Sequence, residues 1–164
     1  MLQINIASLK PGVHHFELKP TIEALDLDPE TFADVAVAAR LDVQGSRVLV
    51  LLQASAQATL TCDRTLVRFQ QPVEGTFTLL FAPPEMAQDL DEEDDNLRVL
   101  YPSDQEIDLT DAVRDTLMLA LPVRRIAPGA EDADLPMQFG SADDAEGDPR
   151  WEALRALRPS DGLN

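Results

Sequence analysis

Three long runs of alternating apolar and polar residues, between positions 35 and 81, constrain this chain more than any other feature. Val35, Val37, Ala39, Leu41 and Val43 recur at every second position, with Asp34, Arg40 and Asp42 between or beside them. Val48, Val50, Leu52, Ala54, Ala56, Ala58, Leu60 and Cys62 repeat the pattern against Gln53, Ser55, Gln57, Thr59 and Thr61. After Asp63-Arg64 come Val67, Phe69, Val73, Phe77, Leu79 and Phe81, opposed by Arg68, Gln70, Glu74, Thr76 and Thr78. Successive side chains of a strand point to opposite faces, so these runs describe strands with one face buried and one in water. An antiparallel sheet is the arrangement that tolerates a solvated face. Gln44-Gly45-Ser46 reads as a hairpin turn in which glycine supplies the unusual dihedrals. Strands this long bend, and Pro72 with Gly75 marks the expected bulge or kink.

The flanking segments are shorter. Residues 2–7 and 13–18 read as strands joined at Lys10-Pro11-Gly12, and 20–33 as a loop with one helical turn. An acidic loop at 83–96 breaks the alternation. Val99-Leu100-Tyr101 and Glu106-Ile107-Asp108 then resume as short strands. Asp108 suits a helix N-cap, and Leu109, Ala112, Val113, Leu117 and Ala120 recur at helical spacing until Pro122 stops the helix. Positions 127–147, rich in proline, glycine and acids, read as a flexible linker. Asp148 caps a last short helix with Pro149 in its first turn and Trp151, Leu154 and Leu157 as its apolar stripe. The expected organisation is a single domain over 1–126, the linker at 127–147 and a C-terminal helix and tail over 148–164. The expected fold class is α+β: a long, bent, barrel-like antiparallel sheet carrying one packed helix.

A chain of 164 residues buries enough surface for a core without disulfides or metal. Only 5% of it is aromatic, so Leu, Val, Ala and Ile must build that core. The lone cysteine, Cys62, excludes an internal disulfide and any multi-cysteine metal site. The first residues alternate like a strand and lack the apolar core of a signal peptide. The longest apolar run, 117–122, is too short to cross a bilayer. The expectation is a cytoplasmic chain with no membrane partner.

Net charge is −17, and its placement matters more than its size. The tracts 89–95 and 131–148 hold 13 of the 30 acids and no base, leaving 17 acids against 13 bases elsewhere. Such runs repel themselves and stay solvated. A field of this sign opposes broad contact with a phosphate backbone, so DNA is not an expected partner and direct RNA contact is weak at most.

Catalytic constellations are poor. Arg64 near Cys62 would lower a thiol pKa, yet the alternation puts Cys62 on the buried face, where it packs as a small hydrophobe. His14 and His15 are adjacent and would point to opposite faces of a strand. Phosphate loops and calcium loops are absent. No cofactor and no enzymatic activity are expected. Arg64, Arg68, Arg124 and Arg125 are the most informative charges. If the helix ends near the bend at 63–64, they form one basic patch able to meet RNA or an acidic partner.

Three signatures occur in order: Cys62-Asp63-Arg64-Thr65-Leu66, Ile107-Asp108-Leu109 with Leu119-Ala120-Leu121-Pro122, and Asp148-Pro149-Arg150-Trp151. Together they resemble the YceD family of bacterial and plastid proteins, the large ribosomal RNA subunit accumulation proteins. Members of that family carry Cys-x-Arg-Cys-Leu between long strands, then Ile-Asp-Leu opening a helix that closes Leu-Ala-Leu-Pro, then Asp-Pro-Arg. Here Thr65 stands where the second cysteine would be, and the further cysteines many members place before Asp-Pro-Arg are missing. Any zinc-binding capacity of relatives is therefore missing too. Cys62, Asp63, Leu66, Asp108, Leu109, Pro122, Asp148 and Pro149 match the motifs as structural positions. The resemblance implies a non-enzymatic part in accumulating or processing large-subunit (23S) rRNA; the expected role is that of an adaptor for an rRNA-processing or ribosome-assembly protein. Arg64, Arg68, Arg124, Arg125, Arg150 and Trp151 are the candidate contacts, Trp151 serving either as a partner anchor or as the residue that docks the last helix. The rival reading is an acidic module that engages a basic protein by mimicking nucleic acid.

Overall fold

The computed structural model describes residues 1–87 and 96–131. β1 (Gln3–Asn5) and β2 (Gly12–Leu18) precede a 3-10 turn at Glu23–Leu25. The three alternating runs then become β3 (Phe32–Gln44), β4 (Arg47–Thr61) and β5 (Arg68–Ala82). A short helix α1 (Pro84–Ala87), β6 (Leu97–Val99), β7 (Glu106–Asp108) and the helix α2 (Thr110–Leu119) complete the order. One sheet runs β2-β3-β4-β5-β6, and β1 pairs with β7 in a second, two-stranded sheet. The α+β class is as expected.

Alternation gives the core directly. Val37, Ala39 and Leu41 of β3 and Val48 to Leu60 at every second position of β4 are buried. Each fully buried Leu or Val contributes roughly 1.5–3 kcal/mol over its exposed state. The hairpin turns at Gly45, whose φ is 61°, and its register closes at Gln44↔Arg47. His14 pairs with Leu41 and His15 with Arg40, on opposite faces of β2. Leu2, Ile4, Ile107 and Leu109 continue the core on the side of the small sheet.

Several expectations are corrected. The large sheet is mixed: β6 joins β5 in parallel, from Leu80↔Leu97 to Ala82↔Val99. A parallel partner needs a connection of about a dozen residues or more, which positions 83–96 supply. That strand covers Leu97–Val99 rather than 99–101, and the acidic stretch opens with α1 rather than as pure loop. The pairings leave β2 and β6 at the two ends of an open sheet, with no barrel-like closure among the described residues.

The bulge lies elsewhere too. The β4–β5 ladder runs unbroken from Val48↔Phe81 to Thr61↔Arg68, through both Pro72 and Gly75. The shift occurs in β3 between Ala33 and Ala36, where Asp34 has φ of 53°. Phe32 and Val35, three positions apart, are both buried, which a regular strand cannot do and a bulge allows.

Gly75 serves another purpose. A Cβ there would meet Thr116 Cγ2 at 2.7 Å and the Thr116 carbonyl oxygen at 3.2 Å. The bare backbone, opposite Ala54, lets α2 settle against β5 and β4.

Asp108 does not cap α2 as expected; the N-cap position is Leu109, with no side-chain cap bond. Asp108 Oδ1 instead accepts from the amide (2.8 Å) and hydroxyl of Thr110. Thr110 Oγ1 in turn accepts from the Leu2 amide at 2.7 Å, tying the helix start to the N-terminal strand. One compact unit runs Met1–Glu131. The acidic tracts apart from Glu131, and the expected helix with Asp148, Pro149, Arg150 and Trp151, lie outside the described residues.

Candidate functional site

The bend between β4 and β5 is a tight loop closed by two backbone bonds, Cys62 amide to Val67 carbonyl (2.9 Å) and Leu66 amide to Cys62 carbonyl (3.0 Å). Leu66 takes φ of 58°, a left-handed conformation that is disfavoured by roughly 1–2 kcal/mol for a residue bearing a Cβ. Its side chain is nevertheless 76% exposed, so local packing does not repay the strain.

The segment after α2 returns to this bend. The Asp63 amide donates to the Arg125 carbonyl, and the Arg125 amide donates to Asp63 Oδ2, both at 2.7 Å. The Ala127 amide donates to Cys62 Sγ at 3.3 Å, and Ala127 and Ala130 are buried. The segment carrying Arg125, six positions past the last helical residue, therefore reaches the bend.

The arginines divide into two groups. Arg64 is half-buried and donates to the carbonyls of Ala130 (3.3 Å) and Glu131, so it clamps the returning segment. Arg68 and Arg125 line one concavity of about 560 Å³ with Asp28, Glu30, Thr31, Met118 and Leu121. Arg68 reaches the Glu30 carbonyl at 3.5 Å. Arg124, next to Arg125 in the chain, is exposed. Pro122 is half-buried, three positions past Leu119, the last helical residue.

Sequence reasoning missed the acidic wall of this concavity. Asp28 accepts from the Glu30 amide (3.1 Å) and from the Thr31 hydroxyl, forming a compact turn. The Thr31 bond, then the Glu30 amide and, more weakly, nearby Arg68 hold the Asp28 carboxyl below its ordinary value. The Asp28-Pro29 dipeptide is the signal that could have marked the turn.

Cys62 has no exposed surface. The Ala127 amide, followed by the Thr65 hydroxyl and the Thr65 and Arg64 amides, holds its thiol down from 9.0 to about 7, against the opposing effect of burial. Thr65 thus supplies a donor to the sulfur. A single cysteine beside a threonine does not furnish the thiolate set of a structural zinc site. Among the described residues no three His, Cys, Asp or Glu side chains converge as metal ligands. Nor is any helix among them long and apolar enough to cross a membrane.

An open mixed sheet with one packed helix, and a bend locked to the segment beyond that helix, defines an α+β domain whose most built feature is a backbone clamp. The chain belongs to the YceD family: the model described as large ribosomal RNA subunit accumulation protein YceD matches residues 50–158. That match takes in most of β4, the bend, β5, α2 and the returning segment. Comparisons with curated proteins and with solved structures give no match. The family description concerns accumulation of the large-subunit ribosomal RNA.

Proposed function

We propose that this chain supports accumulation of large-subunit rRNA as a non-enzymatic, cytoplasmic adaptor, with the bend and the end of α2 as its contact face. The observation that carries this reading is the concavity shared by Arg68 and Arg125, which come from distant parts of the sequence and are held together by the reciprocal Asp63–Arg125 bonds. Two guanidinium groups beside one concavity suit a phosphate or carboxylate held in a fork. The flanking Asp28 and Glu30, and the net charge of −17, oppose a long nucleic-acid track and favour a protein partner or one short rRNA element. Arg124 extends the face. Arg150 and Trp151 are further candidate contacts carried by the sequence alone. Arg64 acts at one remove, by holding the segment that carries Arg125.

The test is the ratio of large- to small-subunit rRNA in a deletion strain complemented with wild type, Arg68→Glu, Arg125→Glu or Arg64→Ala. Loss of the large-subunit species, restored by wild type but not by normally abundant Arg68→Glu or Arg125→Glu, is the expected result. Arg64→Ala is expected to fail through lower abundance. An unchanged ratio on deletion would end the proposal, and full rescue by both charge reversals would remove this face from it.

A further inference from the structure

The second edge of β5 is largely unpaired. β6 covers it only at Leu80–Ala82, so from Arg68 to Leu79 it has no strand partner among the described residues. The direction of its free groups follows from two bonds. The Leu80 amide donates to the Asn96 carbonyl and the Ala82 carbonyl accepts from the Leu100 amide, both at 2.8 Å and both on the β6 side. In an antiparallel ladder alternate residues turn their amide and carbonyl to the same neighbour. Even-numbered residues of β5 therefore face away from β4, and Gln70, Glu74, Thr76 and Thr78 present amides and carbonyls along the open edge. Pro72 falls in the same set, where its missing N–H leaves the β4 ladder intact.

Beside this edge lies a groove of about 460 Å³ between β5 and α2. Gly75 and Phe77 form one wall, and Ala112, Thr116, Leu119 and Ala120 the other. A strand laid on the edge would alternate its side chains. One set would enter the groove against Phe77, Ala112 and Leu119, which is 85% exposed. The other set would lie on the outer face beside Glu74 and Thr76.

We infer that this edge and groove form a docking site for an extended, basic segment of a partner protein, added as a strand to β5 with alternating apolar and cationic side chains. Backbone pairing supplies the affinity of such an addition, and alternate side chains supply its selectivity. Charge selects the partner. Glu74 stands on the outer face beside the edge and Asp115 lines the groove, where Arg114 pairs with it at 3.2 Å and Arg98 is also in the lining; the chain as a whole carries −17. A second copy of this chain would bring the same negative charge to the edge, so a cationic strand is the better occupant. The site is separate from the arginine concavity and does not depend on it.

The test uses the full chain and a fluorescein-labelled decamer of alternating valine and arginine, followed by anisotropy. A matched decamer N-methylated at alternate residues keeps its charge and side chains but cannot complete a ladder. Binding that weakens at least tenfold for the N-methylated peptide and for Thr76→Pro is the expected result. Thr76→Pro removes only an edge-facing N–H and repeats what Pro72 already does, and circular dichroism checks its fold. Shifts in the amide signals of Glu74, Thr76 and Thr78 on adding the peptide would locate the contact. Equal binding of both peptides would reduce the effect to charge and overturn the inference. So would amides at Thr76 and Thr78 already protected from exchange in the free chain, which would show that a segment of this chain covers the edge. A dimer in sedimentation that Thr76→Pro dissolves would assign the edge to a second copy instead.

Discussion

Replacing Gly75 with alanine tests how closely the helix rests on the sheet. The new Cβ would stand 2.7 Å from Thr116 Cγ2, closer than real Cβ contacts come, and 3.2 Å from the Thr116 carbonyl oxygen. The methyl can move only by turning a side chain whose hydroxyl donates to the Ala112 carbonyl at 2.6 Å and which is 8% exposed. Otherwise α2 itself must lift. Overpacking of this kind costs about 1–3 kcal/mol, from which the better strand propensity of alanine recovers roughly 0.5 kcal/mol. At about 2–4 °C per kcal/mol for a domain near this size, the melting temperature should fall by several degrees. Thr116→Ser deletes the offending methyl and keeps the hydroxyl bond, so in a double-mutant cycle by urea unfolding it should return about 1 kcal/mol to the Gly75→Ala chain. A neutral or stabilising Gly75→Ala, or a cycle with no coupling, would refute the claim that backbone approach explains this glycine.

Three further outcomes are expected. The folded Cys62 pKa of about 7 lies below the ordinary 9.0, so thiolate stabilisation is complete above 9 and is lost as pH falls through 7; the wild-type melting advantage over Cys62→Ala should therefore grow from pH 6.5 to pH 9, and a constant gap would contradict it. Asp63→Ala removes the acceptor of the Arg125 amide, which should cost about 1–2 kcal/mol and speed tryptic cleavage at Arg124 and Arg125; unchanged cleavage would mean the clamp does not hold the segment. Leu66→Gly relieves the left-handed strain with little loss of burial and should stabilise the chain by about 1 kcal/mol in chemical unfolding; destabilisation would show that the exposed leucine packs after all.

The central strands were legible because one face of each is wet, which leaves a period of two along Val35 to Phe81. The helix was legible for the parallel reason, through Val113 and Leu117 on its buried side. β6 was misplaced because a strand of three residues shows no period, and its parallel sense depends on a distant partner. Gly75 and Pro72 were read as breaks because both are rare within strands. The structure gives one to a neighbouring helix and the other to an open edge, relationships that exist only in three dimensions. The true bulge did leave a trace, since Phe32 and Val35 differ in parity and both are apolar. At the candidate site, one patch of Arg64, Arg68, Arg124 and Arg125 was expected on the condition that the helix end near the bend, and the different partners of Arg64 and Arg68 left no sign in the sequence. Hydrogen bonds to main-chain carbonyls, such as those from Arg64 to Ala130 and Glu131, leave no pattern in the sequence.

The bond from Leu2 to Thr110 spans 108 positions, and among the described residues β1 pairs with β7 alone. On a translating ribosome, at about 5–20 residues per second, the first strand would wait several seconds for that partner to be made. Leu2 and Ile4 lack the cover of β7 and α2 throughout that interval, while β3, β4 and β5 can already zip locally. The small sheet is therefore a late closure, and the newborn chain passes through a stage with its central hairpins formed and its first strand still searching. Any chaperone acting on this protein has its clearest target in that interval, at the first strand and not at the sheet.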